Sequence, residues 1–273
     1  MFRLKVRIPR FFPEFLLALA ALAMALHGPI AQLEHYHAFA DARAWHGIPH
    51  AADVLSNLPF ALVAAWGAIR LAGCPARARP GPAWPGLAIF VAALALTAAG
   101  SSYYHWAPDN ARLVWDRVPI ALACAGLIDA MHARHHAGAR PWRLPALVAF
   151  ALASVAWWAW TDARGAGDLR PYLLLQGAPL LLVPLWQASA HAPRRERMGL
   201  GIAIALYVLA KALELADARV LGMTGVVSGH TLKHLAAAAA AAVIVGTLTA
   251  DALRSPPASP APPRDWSGSR RSP

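Results

Sequence analysis

Residues 84–119 read WPGLAIFVAALALTAAGSSYYHWAPDNARLVWDRVP. An apolar run from Pro85 to Ala99 ends in Ser-Ser-Tyr-Tyr-His, turns at a proline and restarts beyond an Asp-Arg pair. A helix needs about 20 predominantly apolar residues to cross a bilayer, and this run with its edges is that long. The same scan along the chain predicts eight spans, at about 13–31, 52–72, 84–104, 113–131, 143–160, 171–190, 199–216 and 229–250. Composition agrees. The chain is 58% hydrophobic and 14% charged, where a soluble domain carries roughly 25% charged residues, and its mean hydropathy is +0.42. The expected fold is therefore all-α and polytopic. A seven-helix transmembrane core over 34–252 follows one additional N-terminal helix within 1–33. The segment 253–273, rich in Pro and Ser and poor in apolar residues, reads as a disordered tail.

The net charge of +11 raises the question of nucleic acid, and its distribution answers it. From the N-terminus through successive connections to the tail, the Lys+Arg counts run 4, 1, 3, 2, 3, 2, 3, 2 and 4, with Lys233 left inside the last span. Alternate segments are always the richer ones, which is the positive-inside bias. It implies cytoplasmic termini in an integral membrane protein, and basic charge that serves topology rather than nucleic acid. The first span has a basic start and a short apolar core, like a secretory signal, but no clean small-x-small cleavage site follows. It reads as an uncleaved signal-anchor. Cys74 and Cys124 are far apart and form no metal motif.

On this topology the polar residues of the spans share one level. Asp53, Ser56 and Asn57 lie in the first turns of the second span, and Ser101, Ser102 and His105 at the end of the third. Asp116 lies near the start of the fourth, Lys211 and Glu214 at the end of the seventh, and His230, Lys233 and His234 at the start of the eighth. All fall at outer ends. Burying such groups at membrane depth costs on the order of several kcal/mol each unless they pair or bind something, so the shared level implies one site.

His230 and His234 are spaced i, i+4 and project from one helix face, as do Ser101 and His105. Three imidazoles from two helices, with no cysteine beside them, match a three-histidine zinc site with a fourth position open to water. Asp116 then serves as general base or as the partner that orients the water, and Ser101 as donor to a developing oxyanion. The plainer readings are specific too. An i, i+4 histidine pair on a membrane helix more often makes interhelical hydrogen bonds, and Ser102, near a helix end, satisfies backbone. Asp116 and Arg117 form an interfacial pair with the arginine at the headgroups. His132, His135 and His136 lie in a cytoplasmic connection without a carboxylate at helical spacing and read as solvated. The run from Ala236 to Ala242 reads as a close-packing face.

The Ser-x3-His element in SSYYH (Ser101 to His105), the later Asp in WDRVP (Asp116) and the His-x3-His of HTLKH (His230 to His234) together resemble the alkaline ceramidase family. That family sits in a superfamily of seven-helix membrane hydrolases with the progestin and adiponectin receptors and haemolysin-III-like proteins. DVLSNLPF (Asp53–Phe60) is similar to the family's first core helix, and the resemblance covers roughly 40–250. It implies zinc at His105, His230 and His234, Ser101 near the scissile carbonyl and Asp116 near the water. It also implies a lipid-accessible pocket for an acyl chain, and hydrolysis of a ceramide-type amide. Asp53, Ser56 and Asn57 are supporting polar residues in this reading.

The sequence departs from the family where calcium is held. His50 stands three residues before Asp53 in place of a glutamate, and HAFADARAWHGIP offers one acidic residue, Asp41. Hard Ca2+ asks for several oxygen ligands, so a calcium site is not expected; Asp41 and Arg43 pair with each other or cap the loop. An Ala/Arg/Pro-rich composition suggests a bacterial inner membrane, with the site near the periplasmic face and another N-acyl or O-acyl lipid as substrate. The alternative reading is a non-enzymatic receptor or lipid-binding protein with a structural zinc.

Overall fold

The computed structural model describes residues 9, 11–73, 81–136 and 140–250. Cys74, several of the arginines counted above and the expected tail at 253–273 lie outside these. The described residues form helices and no strand: α1 Phe12–His27, α2 Ala51–Leu55, α3 Leu58–Ala72, α4 Trp84–Trp106 and α5 Asn110–His135, then α6 Arg143–Asp162, α7 Arg170–Ser189, α8 Arg194–Leu215, α9 Asp217–Thr224 and α10 Gly229–Thr249. The protein is all-α. Each of the eight expected spans coincides with a helix or, for the second, with the pair α2 and α3. The short α9 was not expected.

Local chemistry sets the boundaries. Pro108 disfavours helical backbone at Ala107, which is extended (φ −155°, ψ 86°), so α4 ends just after His105. Asp109 then caps α5 by accepting from Arg112 N at 2.7 Å. Pro59 has no N–H, and the helix breaks between α2 and α3. The freed carbonyls are taken by side chains: Asp53 O accepts from Ser56 Oγ (3.0 Å) and Asn57 Nδ2 (2.8 Å), and Val54 O from Ser102 Oγ (3.1 Å). Ser102 thus has the backbone role expected of it.

Five segments are long and apolar enough to cross a membrane: Ala51–Ala72, Gly81–Trp106, Arg143–Asp162, Arg194–Leu215 and Gly229–Thr249. At 26 and 20 residues α5 and α7 are long enough but more polar. Their position explains this, because α5 packs on α4, α6 and α7 and meets protein rather than lipid with most of its surface. α3, α4, α5, α7, α8 and α10 close a ring of neighbours, with α6 outside on α5 and α7, and α1 on α7. α1, at 16 residues, spans about 24 Å, short of a hydrocarbon core of about 30 Å. It is held by Asp168, which accepts from Ile30 N (3.3 Å) and Trp157 Nε1 (2.9 Å) and pairs with Arg170 (2.9 Å). Arg170 in turn reaches the carbonyls of Met24 and Ala25 at 3.4 Å. Burial opposes the charge on Asp168, but Arg170, Trp157 and the backbone donors hold its carboxyl well below the usual range.

The ring closes at points of backbone contact. A Cβ on Gly100 would lie 2.1 Å from Trp115 O, and one on Gly126 would lie 2.6 Å from Gly86 O, so α4 and α5 touch main chain to main chain. A Cβ on Gly229 would lie 2.2 Å from Leu213 O, which seats α10 on the end of α8. Neither rotamer change nor side-chain motion relieves such clashes. Gly100→Val and Gly126→Val should each cost about 3 kcal/mol or more, read as loss of the monodisperse peak and a lowered Tm in detergent. Gly177→Ala, with no atom within 4 Å of the new methyl, should leave both unchanged.

Candidate metal centre

At one end of the ring α4 contributes His105 and α10 contributes His230 and His234, all at most 5% exposed. Their ring centroids form a near-equilateral triangle, 4.8 Å between His105 and His230 and 4.9 Å on each of the other sides. One ligand atom from each lies within 4.8 Å of the other two, and His105 Nε2 is 3.2 Å from His230 Nε2. The i, i+4 spacing on α10 supplies two of the three. Ser228 starts that helix by accepting from Thr231 N at 3.0 Å, and Asp217 of α9 accepts from His230 N at 2.8 Å.

The tautomer of His234 follows from hydroxyl bookkeeping. Ser56 has one proton, and with that proton on Asp53 O its oxygen accepts from His234 Nδ1–H at 2.7 Å, the arrangement that satisfies both contacts. That leaves Nε2 of His234 as a lone pair directed into the cluster. A hydrogen bond on the far nitrogen is also how proteins orient a metal-binding imidazole. The donor set fits a metal on two counts. Ligands at about 2.0–2.1 Å in a tetrahedral site lie roughly 3.3 Å apart, close to the His105–His230 separation. His105 Nε2 and His230 Nε2, moreover, face each other directly, and among the described residues no carboxylate hydrogen bond reaches the three rings. Lys233 approaches one of the converging nitrogens, His230 Nε2, and a cation shared among the three rings would satisfy all of them together.

Ser101 and Asp116 are brought together beside this cluster. Both are buried, and the Ser101 hydroxyl faces the Asp116 carboxylate. Gly100 explains the meeting, since its contact with Trp115 fixes the next residue of each helix. Asp53 is fully buried and accepts from Thr231 Oγ1 at 2.7 Å, while Asn57 Nδ2 braces the Asp53 carbonyl. These two hold the α2–α10 junction rather than the cluster itself, whereas Ser56 reaches a ring directly.

Several contacts lay beyond sequence reasoning. Phe39, from the loop before α2, packs its ring on His105 (4.6 Å) and His230 (4.5 Å) and covers the cluster. Lys233 donates to Glu214 at 2.7 Å and lies 3.2 Å from His230 Nε2, and Lys211 pairs with the same Glu214 at 2.7 Å. Asp41, by contrast, pairs with Arg43 at 2.6 Å as the sequence suggested. The Arg43 guanidinium holds the Asp41 carboxyl below its usual range and takes both oxygens that a calcium ion would need.

Two readings are corrected. Arg117 does not sit at the headgroups but is 3% exposed, with its guanidinium 3.9 Å from the Trp158 ring and 2.7 Å from Gln32 Oε1. Aromatic faces stabilise a cation where lipid would not. Nor are His132, His135 and His136 solvated. His135 pairs with Glu196 of α8 at 2.8 Å, and the His132 and His136 rings stack at 4.2 Å beside Trp186. The missing carboxylates come from other helices, which helical spacing does not reveal. Glu14 of α1 also approaches His132 and His136, but Arg143 donates to His132 Nδ1 and places a fixed cation there, a poorer setting for a metal.

Below the cluster an apolar cavity of about 160 Å³ runs into the ring. Its wall includes Thr97 on α4, Ile120 on α5, Tyr207 on α8 and Ala237 on α10. Comparison of the chain with family models, curated proteins and solved structures gives no match.

Metal binding is directly testable. His105→Ala and His230→Ala should each abolish stoichiometric metal in detergent-purified protein. Ser56→Ala should retain all three ligands yet lower affinity by about 10–100-fold, read by competition with a chromogenic chelator.

Proposed function

We propose that the chain is a zinc-dependent membrane hydrolase that cleaves the amide bond of ceramide-like N-acyl lipids. One observation carries this reading: the apolar cavity and the polar cluster share their walls. One helical turn from Thr97, Ile120, Tyr207 and Ala237 stand Ser101, Asp116, Lys211 and Lys233, each four residues along its helix toward the histidines. An amphiphile whose tail fills the cavity therefore presents its first polar bonds to the cluster. An apolar pocket with a few convergent polar groups is the usual form of a small-ligand site.

His105, His230 and His234 would hold the zinc, which when bound supplies Lewis acidity and water activation near neutral pH. Asp116 accepts a proton from water as the water oxygen attacks the carbonyl carbon. Ser101 donates to the oxygen on which negative charge develops. As the C–N bond breaks, Asp116 returns the proton to the departing nitrogen, so a fatty acid and an amine leave. Asp116 is buried and Phe39 covers two of the histidines, which keeps bulk water from this exchange. The choice of an amide rests on the resemblance to alkaline ceramidases, and that of the periplasmic side of an inner membrane on the arginine distribution.

Detergent-purified protein should release fatty acid from N-acyl lipids, monitored by mass spectrometry. Asp116→Asn should keep its metal and lose at least about 100-fold in turnover. Chelation should abolish turnover and zinc should restore it. Hydrolysis that survives complete metal removal would overturn the proposal. Zinc that raises Tm without turnover of any N-acyl lipid would favour the lipid-binding alternative instead.

A further inference from the structure

Lys233 is unlike the other cations of the bundle. Its ammonium is largely buried, shares one carboxylate with a second lysine, and stands beside a nitrogen of the candidate metal cluster. The sharing leaves Lys211, Lys233 and Glu214 one positive charge in excess. A cation held by the three imidazoles would add further positive charge next to it, at separations where repulsion in a poorly polarisable interior is severe. The nearby anions are already engaged, Asp116 of α5 with Ser101 and Asp53 of α2 with Thr231. An arrangement of this kind is relieved when an additional anion lies between the lysine and the cluster.

The register of α10 says where such an anion would come from. Ala237 and Ala241 line the apolar cavity, and Lys233 continues the same face one turn nearer the histidines. A ligand whose tail occupies the cavity brings its head to Lys233. We propose that Lys233 is the head-group contact of this cavity, and that the preferred ligand is an acyl lipid whose head carries a carboxylate, such as an N-acyl amino acid. The proposal rests on the seating of the acyl tail described above and narrows the substrate class of the same site. Lys211 keeps Glu214 occupied, so that Lys233 can turn toward the ligand without leaving a buried carboxylate alone.

The test compares two probes with one acyl chain and one amide, N-dodecanoylglycine and N-dodecanoylethanolamine, which differ only in a terminal carboxylate against a hydroxyl. Binding is measured by calorimetry to the full-length protein in detergent, as purified and after chelation, because a bound metal itself attracts carboxylates. The expected result is about tenfold or greater preference for the glycine conjugate in both states, lost in Lys233→Gln. If that variant does not fold because Glu214 is stranded, Lys233→Gln/Glu214→Gln removes both charges and should show the same loss. Equal binding of the two probes by the wild type, or a preference that survives in either variant, overturns the role of Lys233. Binding of neither probe overturns the seating of the tail and this proposal with it. A Lys233-dependent preference without hydrolysis would leave this inference standing and count against the enzymatic reading alone.

Discussion

The contact between the Gly100 backbone and the Trp115 carbonyl determines whether a site exists at all. Helices that meet through side chains sit about 8–10 Å apart, and a side chain at Gly100 would hold this pair further from each other than it is. With no side chain at Gly100, α4 and α5 touch main chain to main chain, and the adjacent Ser101 and Asp116 are brought face to face. Gly229 repeats the device on the far side of the cluster. Its approach to Leu213 seats α10 on α8 and brings Lys233 within reach of Glu214. Each glycine immediately precedes a residue of the site.

Polar groups gather at the two ends of the bundle, around Glu196 and Asp129 at one and around the histidines at the other, because few of them could be tolerated between. In a lipid-facing ring a buried carboxylate or imidazole needs a partner within hydrogen-bonding distance. Most of those at the histidine end have one: Asp53 with Thr231, Glu214 with two lysines, Asp217 with the backbone of Ala40 and His230. The converging nitrogens of the three histidines meet one another instead, and they are the atoms that a metal would satisfy. Arg117 shows the same economy by another route, its charge resting on Trp158, Tyr36 and Tyr172. The loop before α2 joins this network through Gln32 and His37, so the segment that carries Phe39 over the cluster is anchored at several points.

Much of this was legible in the residues, for physical reasons. Long apolar runs between charged edges have one stable form in a bilayer, so helices at the eight expected places and their polar ends could be read directly. The i, i+4 spacing in HTLKH places two imidazoles on one face whatever the rest of the chain does. What escaped depended on pairings between distant helices. His135 looked solvated because its carboxylate, Glu196, lies on α8, and Arg117 looked peripheral because its aromatic partners come from α6, α7 and the loop before α2. Lys233 was visible as an intramembrane charge, but not as a neighbour of Glu214 and His230 together.

The sequence by itself determined the all-α class, the places where helices begin and end, and which residues could not remain in lipid unpaired. Those follow from local rules: backbone groups must be satisfied within a segment, prolines stop helices, and side chains repeat on a face every three to four residues. Only the tertiary structure decided which face met which. The convergence of His105 with His230 and His234, the meeting of Ser101 with Asp116 and the cavity beneath them depend on the depth to which α4, α5, α8 and α10 approach one another. That depth is set by the absence of a side chain at a few glycines, a property of the packed pair of helices and not of either helix alone.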